Sequence, residues 1–471
     1  MLEETKKSTR REQDSLGILD IPADAYYGIH TARAMANFPV SGRAANPHLI
    51  RSMITVKKAA ALAHLKLRTY PVEVAQSIVQ ACDELLVGDH MEQFPVDAMQ
   101  GGAGTSTHMN VNEVIANHAI ERLGGKRGDY SLVHPLDHVN CCQSTNDVYP
   151  TALRIAAIGL VRSLSQAFAS LQEALQEKEH EFADVLKLGR TELMDALPMT
   201  AGQGFGAYAK AVARDRWRLY KVEERLREIN IGGTAIGTGM NAPVKYTFYI
   251  TDLLQELTGY GLARSEYPMD LTQNMDVFVE VSGLLKAASV TLMKISNDLR
   301  LLASGPAGGF GELELPGVQA GSSIMPGKVN PVIAEMAGLV AMRVIANDSA
   351  VTMAAAGGQL ELNAFMPLIA DALLESLEIL TNATRLFEER CVRGIRMNKE
   401  RCLEGVENST VLATALVSHI GYEQSAEVAK LARKENKTVR QVLLEHQTLP
   451  EAQIDTILSL QQVTKPGVPG G

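Results

Sequence analysis

The sequence lacks the features of a nucleic-acid-binding, membrane or secreted protein. Its 471 residues carry a formal net charge of −9, which offers no broad positive surface to DNA, RNA or an anionic membrane. No run of eighteen apolar residues occurs, and the charged N-terminal stretch lacks the apolar core of a signal peptide. The five cysteines form an odd count without a C-x-x-C spacing, which is typical of a reduced protein. We therefore expect a soluble, cytoplasmic protein with no nucleic-acid and no membrane partner.

A nucleotide-binding loop is missing as well, although one segment comes close to that pattern. Between Gly321 and Gly327 lie five residues, where a phosphate-binding P-loop has four, and Lys328 is followed by valine rather than serine or threonine. The residues before Gly321 do not form the apolar pattern of a buried strand. Nucleotide binding is therefore excluded, and we expect no cofactor.

Segments with helical periodicity make up most of the chain, because apolar side chains recur at intervals of three and four residues. Two helices are predicted at 47–66 and 72–86, followed by one at about 110–123. The five longest predicted helices are 151–182, 200–229, 274–303, 331–355 and 361–390. Shorter helices are predicted at 396–406, 409–420, 423–435, 438–445 and 450–462. The pattern predicts a mainly α protein built on a bundle, and the apolar and small residues of the long helices indicate self-association.

Strand signals are sparse. One β-branched and aromatic segment, 245–250, is predicted to form a hairpin, and residues 1–15 are predicted to form a polar arm. Residues 18–42 mix turn formers with aromatic residues, which predicts irregular structure.

Four polar clusters lie between the helices. Residues 304–330 contain seven glycines and end in Ser322, Ser323, Lys328 and Asn330, which suits a mobile binding loop for a carboxylate but also an ordinary connector. Residues 101–107 combine glycines with hydroxyl groups. Residues 143–147 and 189–196 each precede a long helix, where they could bind an anion or simply cap the helix. All four clusters hold mostly neutral groups able to bind carboxylate and ammonium, so the sequence predicts no metal site.

The motifs in these clusters resemble those of the fumarase and aspartase superfamily. The segments GAGTS (102–106), QSTND (143–147), GRT (189–191), GGTAIGTG (232–239) and GSSIMPGKVNP (321–331) occur in that superfamily's order. PADAYYGIHTARAMANF (22–38), VQAGSSIMPGKVNPV (318–332) and GQLELN (358–363) look like aspartate ammonia-lyases rather than class II fumarases.

The resemblance implies a mainly α, three-domain subunit with a central long-helix bundle, divided at 1–143, 144–393 and 394–471. It implies a homotetramer with active sites shared between subunits and a reaction that converts L-aspartate to fumarate and ammonium. The implied general base is Ser322. The implied substrate-binding residues are Lys328 and Asn330 for the α-carboxylate, Thr105, Ser144, Thr145 and Ser323 for the β-carboxylate, and Asn146 and Thr191 for the amino group.

One position departs from the superfamily pattern, which commonly has histidine or glutamine after the threonine of GRT. This chain has Glu192 there, and by family position Glu192 lies near Glu335. Two close carboxylates could hold a cation such as the substrate ammonium, or they could indicate a different amine. The alternatives are therefore a class II fumarase and a lyase for a substituted aspartate.

Overall fold

The computed structural model describes residues 8–470, and these residues are mainly helical, as the sequence predicts. The helices are α1 Ile29–Asn37, α2 Pro47–Leu67, α3 Val72–Leu86, α4 Thr105–Arg122, α5 Thr145–Glu181, α6 Ala201–Leu226, α7 Val244–Thr258, α8 Pro268–Gln273, α9 Asp276–Leu302, α10 Val332–Ala356, α11 Met366–Arg390, α12 Lys399–Glu407, α13 Val417–Glu435, α14 Val439–Glu445, α15 Glu451–Ile457 and α16 Leu460–Val463. The longest, α5, has 37 residues. All five predicted long helices are confirmed as α5, α6, α9, α10 and α11.

The strands form four two-stranded pairs within the described residues. They are β1 Thr9–Asp14, β2 Gly17–Pro22, β3 Leu186–Thr191, β4 Met194–Thr200, β5 Glu228–Ile229, β6 Ala263–Arg264, β7 Leu313–Glu314 and β8 Arg396–Met397. The pairs β1–β2, β3–β4 and β7–β8 are antiparallel, and β5–β6 is parallel.

The described residues group into two compact units. Unit 1 comprises residues 8–165, 217–287 and 342–380, and unit 2 comprises residues 166–216, 288–341 and 381–470. The division into three domains at 143 and 393 stays a prediction.

In unit 1, helices α2, α3 and α4 pack on one another. Helix α2 begins where the side chain of Asn46 accepts a hydrogen bond from the His48 amide at 2.8 Å, with Pro47 in the first turn. Its buried face carries Met53, Ile54 and Val56, and α4 is buried along almost its whole length. Helix α4 is therefore held within unit 1 from Thr107 onwards, whereas its first residue, Thr105, is exposed.

In unit 2, the C-terminal helices share an apolar core that includes Leu416, Val439, Leu443 and Ile454. A capping box stabilises the N-terminus of helix α14. In it, the side chains of Thr438 and Gln441 each accept a hydrogen bond from the other's backbone amide.

Three sequence predictions were wrong in part. Residues 245–250 lie inside helix α7 and form no hairpin, because Tyr246, Ile250 and Leu254 are buried at a spacing of four residues on one helix face. The predicted polar arm is strand β1 over residues 9–14, and its first seven residues lie outside the described residues. The predicted irregular segment 18–42 contains β2 and α1.

The C-terminal helices were predicted with less accurate bounds. The predicted helix 409–420 is a 3-10 helix, Thr410–Leu416, that leads directly into α13. The predicted helix 450–462 is divided into α15 and α16.

Among the described residues, two helices are long and apolar enough to cross a membrane by length and composition, namely α5 and α10. One or two such helices are weak grounds for a membrane span, because core helices of soluble proteins meet the same criterion. The apolar segment of α5 is 67 % buried within the chain, whereas that of α10 is only 33 % buried. Helix α10 therefore presents apolar surface that this single chain does not cover.

Candidate active site

Three of the polar segments meet in unit 1: the start of α4, the start of α5 and the loop 232–239. The imidazole Nδ1 of His108 in α4 lies 2.8 Å from the hydroxyl of Thr145, the first residue of α5. The side-chain amide of Asn146 donates to the carbonyl of Ala235 at 2.7 Å. Segments separated by up to about ninety positions in the sequence are thus brought together by hydrogen bonds.

The start of α5 is a helix cap as well as a candidate binding segment. The Ser144 hydroxyl accepts the Asn146 amide at 3.2 Å, and the Asp147 carboxylate accepts the Ser144 amide at 2.9 Å. This reciprocal pair fixes the first turn of the helix. Thr145 and Asn146 lie in that turn, where amide groups and the helix dipole favour an anion.

Thr105 is the first residue of α4, and it is exposed. Its hydroxyl donates to the Gly102 carbonyl at 2.8 Å, which closes the glycine turn before the helix. Gly104 adopts a φ of 92°, and a β-carbon at this position would overlap the ring of Tyr149 in α5. Glycine at 104 therefore permits the close approach of the two helices that carry Thr105 and Thr145.

A buried lysine lies behind Thr145. Lys57 in α2 is only 1 % exposed, and its ammonium nitrogen lies 2.6 Å from Nε2 of His108. The same nitrogen donates to the side-chain oxygens of Asn140 and Gln143, each at 2.9 Å. All three ammonium hydrogens therefore have an acceptor, as a buried cation requires. Burial nevertheless holds the pKa of Lys57 well below its usual range, although the charge of Asp147 raises it.

The charge state of Lys57 determines whether the hydroxyl hydrogen of Thr145 is available to a ligand. Burial, and then the charge of Lys57, hold the pKa of His108 well below its usual range, so its imidazole is neutral. In its charged form Lys57 only donates, so Nε2 of His108 then accepts and its Nδ1–H donates to the Thr145 oxygen. The hydroxyl hydrogen of Thr145 is then free to donate to a ligand. Sequence reasoning missed Lys57, whose only signal is that it and Lys58 interrupt the apolar residues Val56 and 59–61 of α2.

Asp147 is fully buried and joins α5 to the loop 232–239. Its carboxylate accepts the amides of Gly232 at 3.0 Å and Thr234 at 2.9 Å, in addition to that of Ser144. Burial raises the pKa of Asp147 to about 7, while these backbone hydrogen bonds and the charge of Lys57 lower it. The folded chain therefore holds a proton at this carboxyl group at a pH where the unfolded chain has lost it.

We expect this proton to appear in the pH dependence of stability. The ordinary pKa of this carboxyl group is 3.8, and its pKa in the folded chain is about 7. The bound proton therefore stabilises the folded chain fully below about pH 4, and this stabilisation is lost as the pH rises towards 7. The unfolding free energy of the wild type, measured in urea, should fall relative to that of Asp147→Asn by about 1.4 kcal/mol per pH unit in this window. A difference between the two proteins that stays constant from pH 4 to 7 would show that Asp147 titrates normally.

In unit 2, the candidate residues Ser322, Ser323, Lys328 and Asn330 lie in one compact loop, which we call the serine loop, residues 321–330. The Gly321 amide donates to the Lys328 carbonyl at 2.8 Å, and the side-chain amide of Asn330 donates to the Gly321 carbonyl at 2.7 Å. The two ends of the loop are therefore tied together. Ser323 and Lys328 are exposed, and Ser322 is half-buried.

The Ser322 hydroxyl lies within a small group of amide donors. Its oxygen accepts the backbone amides of Ile324 at 3.2 Å and Met325 at 3.0 Å. Hydrogen bonds of this kind stabilise a negative charge on the oxygen more than they stabilise the neutral hydroxyl. The serine loop thus has part of what an alkoxide base needs.

Thr191 and Glu192 lie at the turn between β3 and β4, a hairpin that the sequence did not predict. Thr191 pairs with Met194 across a two-residue turn, in which Glu192 and Leu193 have φ values of 55° and 64°. Such turns favour glycine and asparagine, so these two residues are strained in an exposed position. Glu335 lies at the start of α10, and its carboxylate is 3.8 Å from the Arg300 guanidinium.

The structure thus divides the predicted site residues into two groups. Thr105, Ser144, Thr145 and Asn146 lie in unit 1, whereas Thr191, Glu192, Ser322, Ser323, Lys328, Asn330 and Glu335 lie in unit 2. Within unit 1, residues from different motifs are brought together at the starts of α4 and α5. Within unit 2, Ser322, Ser323, Lys328 and Asn330 belong to one motif and lie in one loop. Their roles towards a substrate remain predictions.

One histidine pair has the four-residue spacing found in some metal sites, namely His134 and His138. The Nδ1 atom of His138 accepts the His134 amide at 2.8 Å, and Nδ1 of His134 accepts the amides of Leu136 and Asp137, each at 3.2 Å. These atoms act as local caps of the turn 135–139 rather than as a pair of metal ligands.

Comparison with known proteins gives matches over almost the entire chain. A family of lyases matches residues 17–346, and the fumarase C C-terminal family matches residues 412–465. The aspartate ammonia-lyase of Escherichia coli is 47 % identical over 460 residues, which cover 97 % of this chain and 96 % of that protein. The aspartate ammonia-lyase of a Bacillus species is 45 % identical over 461 residues, which cover 98 % of each.

Solved structures show the same fold. A fumarate lyase:delta crystallin from Brucella melitensis, bound to cobalt, is 49 % identical with a TM-score of 0.94, covering 98 % of this chain and 100 % of that one. A class II fumarase from Schistosoma mansoni is 36 % identical with a TM-score of 0.93 over the same shares. The fumarase/aspartase fold predicted from the motifs is therefore confirmed. The chain belongs to the fumarase/aspartase superfamily of lyases, and within it to the aspartate ammonia-lyases, a family of carbon–nitrogen lyases.

Proposed function

We propose that this protein interconverts L-aspartate with fumarate and ammonium, with Ser322 as the base that removes a proton from the β-carbon. The observation that carries the proposal is the serine loop, where the Ser322 oxygen accepts two amides and a lysine and an asparagine stand at the end of the same loop. The near-full-length similarity to aspartate ammonia-lyases supports the choice of substrate.

The chemistry requires many neutral donors. Removing the proton beside a carboxylate places a second negative charge on that group and gives an aci-carboxylate intermediate, so most of the barrier is charge development on the two oxygens. We assign Thr105, Ser144, Thr145 and Ser323 to this β-carboxylate. His108, which is hydrogen-bonded to Lys57, contacts the oxygen of Thr145 and leaves its hydroxyl hydrogen available to a ligand. This arrangement supports the assignment.

The remaining groups would fix the other end of the substrate. Lys328 and Asn330 would bind the α-carboxylate, and Asn330 can do so because an amide has two hydrogens and only one is directed at Gly321. Asn146 and Thr191 would contact the amino group. Glu192 and Glu335 would add negative charge near the ammonium, which then leaves on the face opposite to the removed proton.

Serine is a weak base in water, so the site must also exclude solvent. We propose that the glycine-rich segment 304–330 closes over the bound substrate. Within it, Ile324 is 83 % exposed and Val329 is 55 % exposed, and these apolar side chains would be covered on closure. The proposed reaction steps use no organic cofactor and no metal, because side chains and backbone amides provide every proton acceptor and every hydrogen-bond donor that they require.

We further propose that the protein is a cytoplasmic homotetramer whose active sites combine residues of different subunits. The apolar side chains on α10 that this chain leaves exposed, such as Leu339 at 67 % and Met353 at 67 %, support burial against other copies. The apolar segment of α10, only one third buried, is explained in the same way.

A substrate panel tests the proposed reaction. Purified protein is given L-aspartate, L-malate and N- or C-substituted aspartates, and the absorbance of the unsaturated product is followed. We expect turnover with aspartate and little or none with malate. Activity with malate alone would indicate a fumarase, activity with a substituted aspartate alone would indicate a different amine, and inactivity with all would remove the enzymatic proposal.

Lys328 gives a prediction about binding rather than about the base. Its loss removes a charge-assisted hydrogen bond to the α-carboxylate, worth about 2 kcal/mol, so Lys328→Ala should raise KM roughly thirtyfold with a smaller change in kcat. Replacement of Lys430, an exposed lysine on α13, should leave KM unchanged and serves as the matched control. An unchanged KM in Lys328→Ala would mean that this lysine does not bind the substrate.

A further inference from the structure

Three metal-binding side chains meet in unit 1 just before α5. A ring nitrogen of His64 and the sulfur atoms of Cys141 and Cys142 all lie within 4.8 Å of one another. The two sulfurs are 3.7 Å apart, and neither cysteine forms a disulfide. His64 is buried, whereas both cysteines are only half-buried, so an ion from solvent could reach the sulfurs.

The distance between the sulfurs fits one thiophilic metal ion. Two thiolates bound to zinc at about 2.3 Å with tetrahedral angles stand about 3.8 Å apart. The 3.7 Å separation therefore requires no movement of either cysteine. A zinc-bound imidazole nitrogen would lie about 3.5 Å from each sulfur. The His64 nitrogen lies within 4.8 Å of both sulfurs, so the ring would have to move by no more than about 1.3 Å.

Both ring nitrogens of His64 lie at hydrogen-bond distance from a partner. Its Nδ1 lies 3.0 Å from the Thr69 hydroxyl, and its Nε2 lies 3.0 Å from the Cys141 carbonyl oxygen. A carbonyl oxygen only accepts, so in the metal-free chain Nε2–H donates to Cys141 and Nδ1 accepts from the Thr69 hydroxyl. Metal binding at Nε2 would transfer this hydrogen to Nδ1, whose N–H would then donate to the Thr69 oxygen. A hydrogen bond of this type fixes the tautomer of most histidine ligands.

Two tyrosine rings that contact His64 carry hydroxyl groups without a hydrogen-bond partner in the part of the chain that the structure describes. The rings of Tyr70 and Tyr246 contact that of His64, with centroids 5.3 Å and 4.8 Å away. Both hydroxyl groups are buried and have no hydrogen-bond partner among the described residues, although buried polar groups normally have one. A water molecule bound to the metal as its fourth ligand would supply such a partner.

The backbone at this position is also unusual. Cys142 has a φ of 60°, in the left-handed region that a residue with a side chain rarely adopts. This conformation places the second sulfur beside the first, although the two residues are consecutive. Strain of this kind persists where the surrounding structure holds a functional arrangement.

We propose that His64, Cys141 and Cys142 bind one thiophilic divalent cation of the zinc class, with water as the fourth ligand. Binding replaces the two S–H bonds by two metal–sulfur bonds and releases two protons to solvent, with no change of oxidation state. The proposal does not rest on the reaction proposed above, although Gln143 donates to the Cys141 carbonyl at 3.1 Å, and the occupancy of the site can be measured without turnover.

Metal binding to the full-length, reduced protein tests the proposal. Zn²⁺ bound after dialysis is counted per chain, and Co²⁺ is used as a probe because thiolate ligands give it a charge-transfer absorption. We expect one ion per chain and the thiolate absorption in the wild type. In Cys141→Ala and Cys142→Ala the affinity should fall by at least about a hundredfold, since losing an inner ligand costs more than losing an outer partner. Cys391→Ala, at a buried cysteine of unit 2, is the matched control and should bind as the wild type does.

A second measurement needs no variant. Added Zn²⁺ should protect the two half-buried cysteines of the native wild type from a thiol reagent such as 5,5′-dithiobis(2-nitrobenzoate). The proposal is overturned if the wild type binds no ion, if both cysteine variants bind as tightly as the wild type, or if the thiols react equally fast with and without Zn²⁺.

Discussion

Replacing Ser322 by alanine is expected to lower kcat for aspartate by roughly a thousandfold or more, with no loss of thermal stability. A positioned base contributes about 10²- to 10⁴-fold to a rate, and the other titratable side chain of the serine loop, Lys328, is assigned to the α-carboxylate. The fold should tolerate the change because the amides of Ile324 and Met325, which donate to the serine oxygen, belong to exposed residues that water can reach. The rate of fumarate formation and the melting temperature are the two measurements.

The neighbouring serine provides the control. Ser323→Ala removes a hydroxyl of the same size from the same loop but, in our assignment, only one of several donors to the β-carboxylate. It should lose roughly ten- to a hundredfold in kcat/KM. If Ser322→Ala keeps a kcat within tenfold of the wild type, or if both variants lose activity equally, Ser322 is not the base.

Replacing Gly321 by alanine is expected to have the second largest effect. A β-carbon at this position would lie 2.6 Å from the Lys328 carbonyl oxygen and 2.8 Å from the Asn330 amide nitrogen. Both are backbone atoms of the opposite end of the loop, so no side chain can turn aside and the tie between the ends must open. Ser322, Lys328 and Asn330 would then move by about an ångström relative to one another, which costs roughly a hundredfold in kcat.

Stability should hardly change in Gly321→Ala, because the serine loop is largely exposed and buries little apolar surface. Gly308→Ala is the matched control, since it lies in the same glycine-rich segment and a β-carbon there meets no atom within 4 Å. Steady-state kinetics and a melting curve on both variants separate the cases. Equal activity of Gly321→Ala and Gly308→Ala would show that the tie between the ends of the loop is not needed for catalysis.

The helical part of the fold could be predicted because its signal is local. In α9, Val281, Leu285, Ala288, Leu292 and Ile295 recur at intervals of three and four residues, and all are buried. A pattern repeated over about four helical turns leaves little ambiguity about the type of element.

Short elements were harder to predict because propensity and packing disagree in them. Residues 245–250 are β-branched and aromatic, but burial of Tyr246 and Ile250 on one face of α7 outweighs that preference. The β3–β4 hairpin was missed for the opposite reason, since its turn residues, Glu192 and Leu193, are not those that such turns favour.

The candidate site was predicted where its residues form motifs and missed where they depend on distant contacts. Ser322 and Thr145 stand in recognisable segments. Lys57 does not, because its partners His108 and Gln143 lie 51 and 86 positions away. His64 and the cysteine pair were missed in the same way, since 77 positions separate His64 from Cys141.

Our central proposal is that Ser322 and Thr145, which we assign to the same substrate molecule, come from different subunits of the proposed tetramer. The most direct measurement is the activity of hybrid oligomers of Ser322→Ala and Thr145→Val chains, produced together and purified through two different tags. Each parent should be nearly inactive, and we predict that the hybrids recover a substantial fraction of wild-type turnover, because some sites then combine an intact Ser322 with an intact Thr145. Hybrids that form normally but remain as inactive as both parents would contradict the proposal.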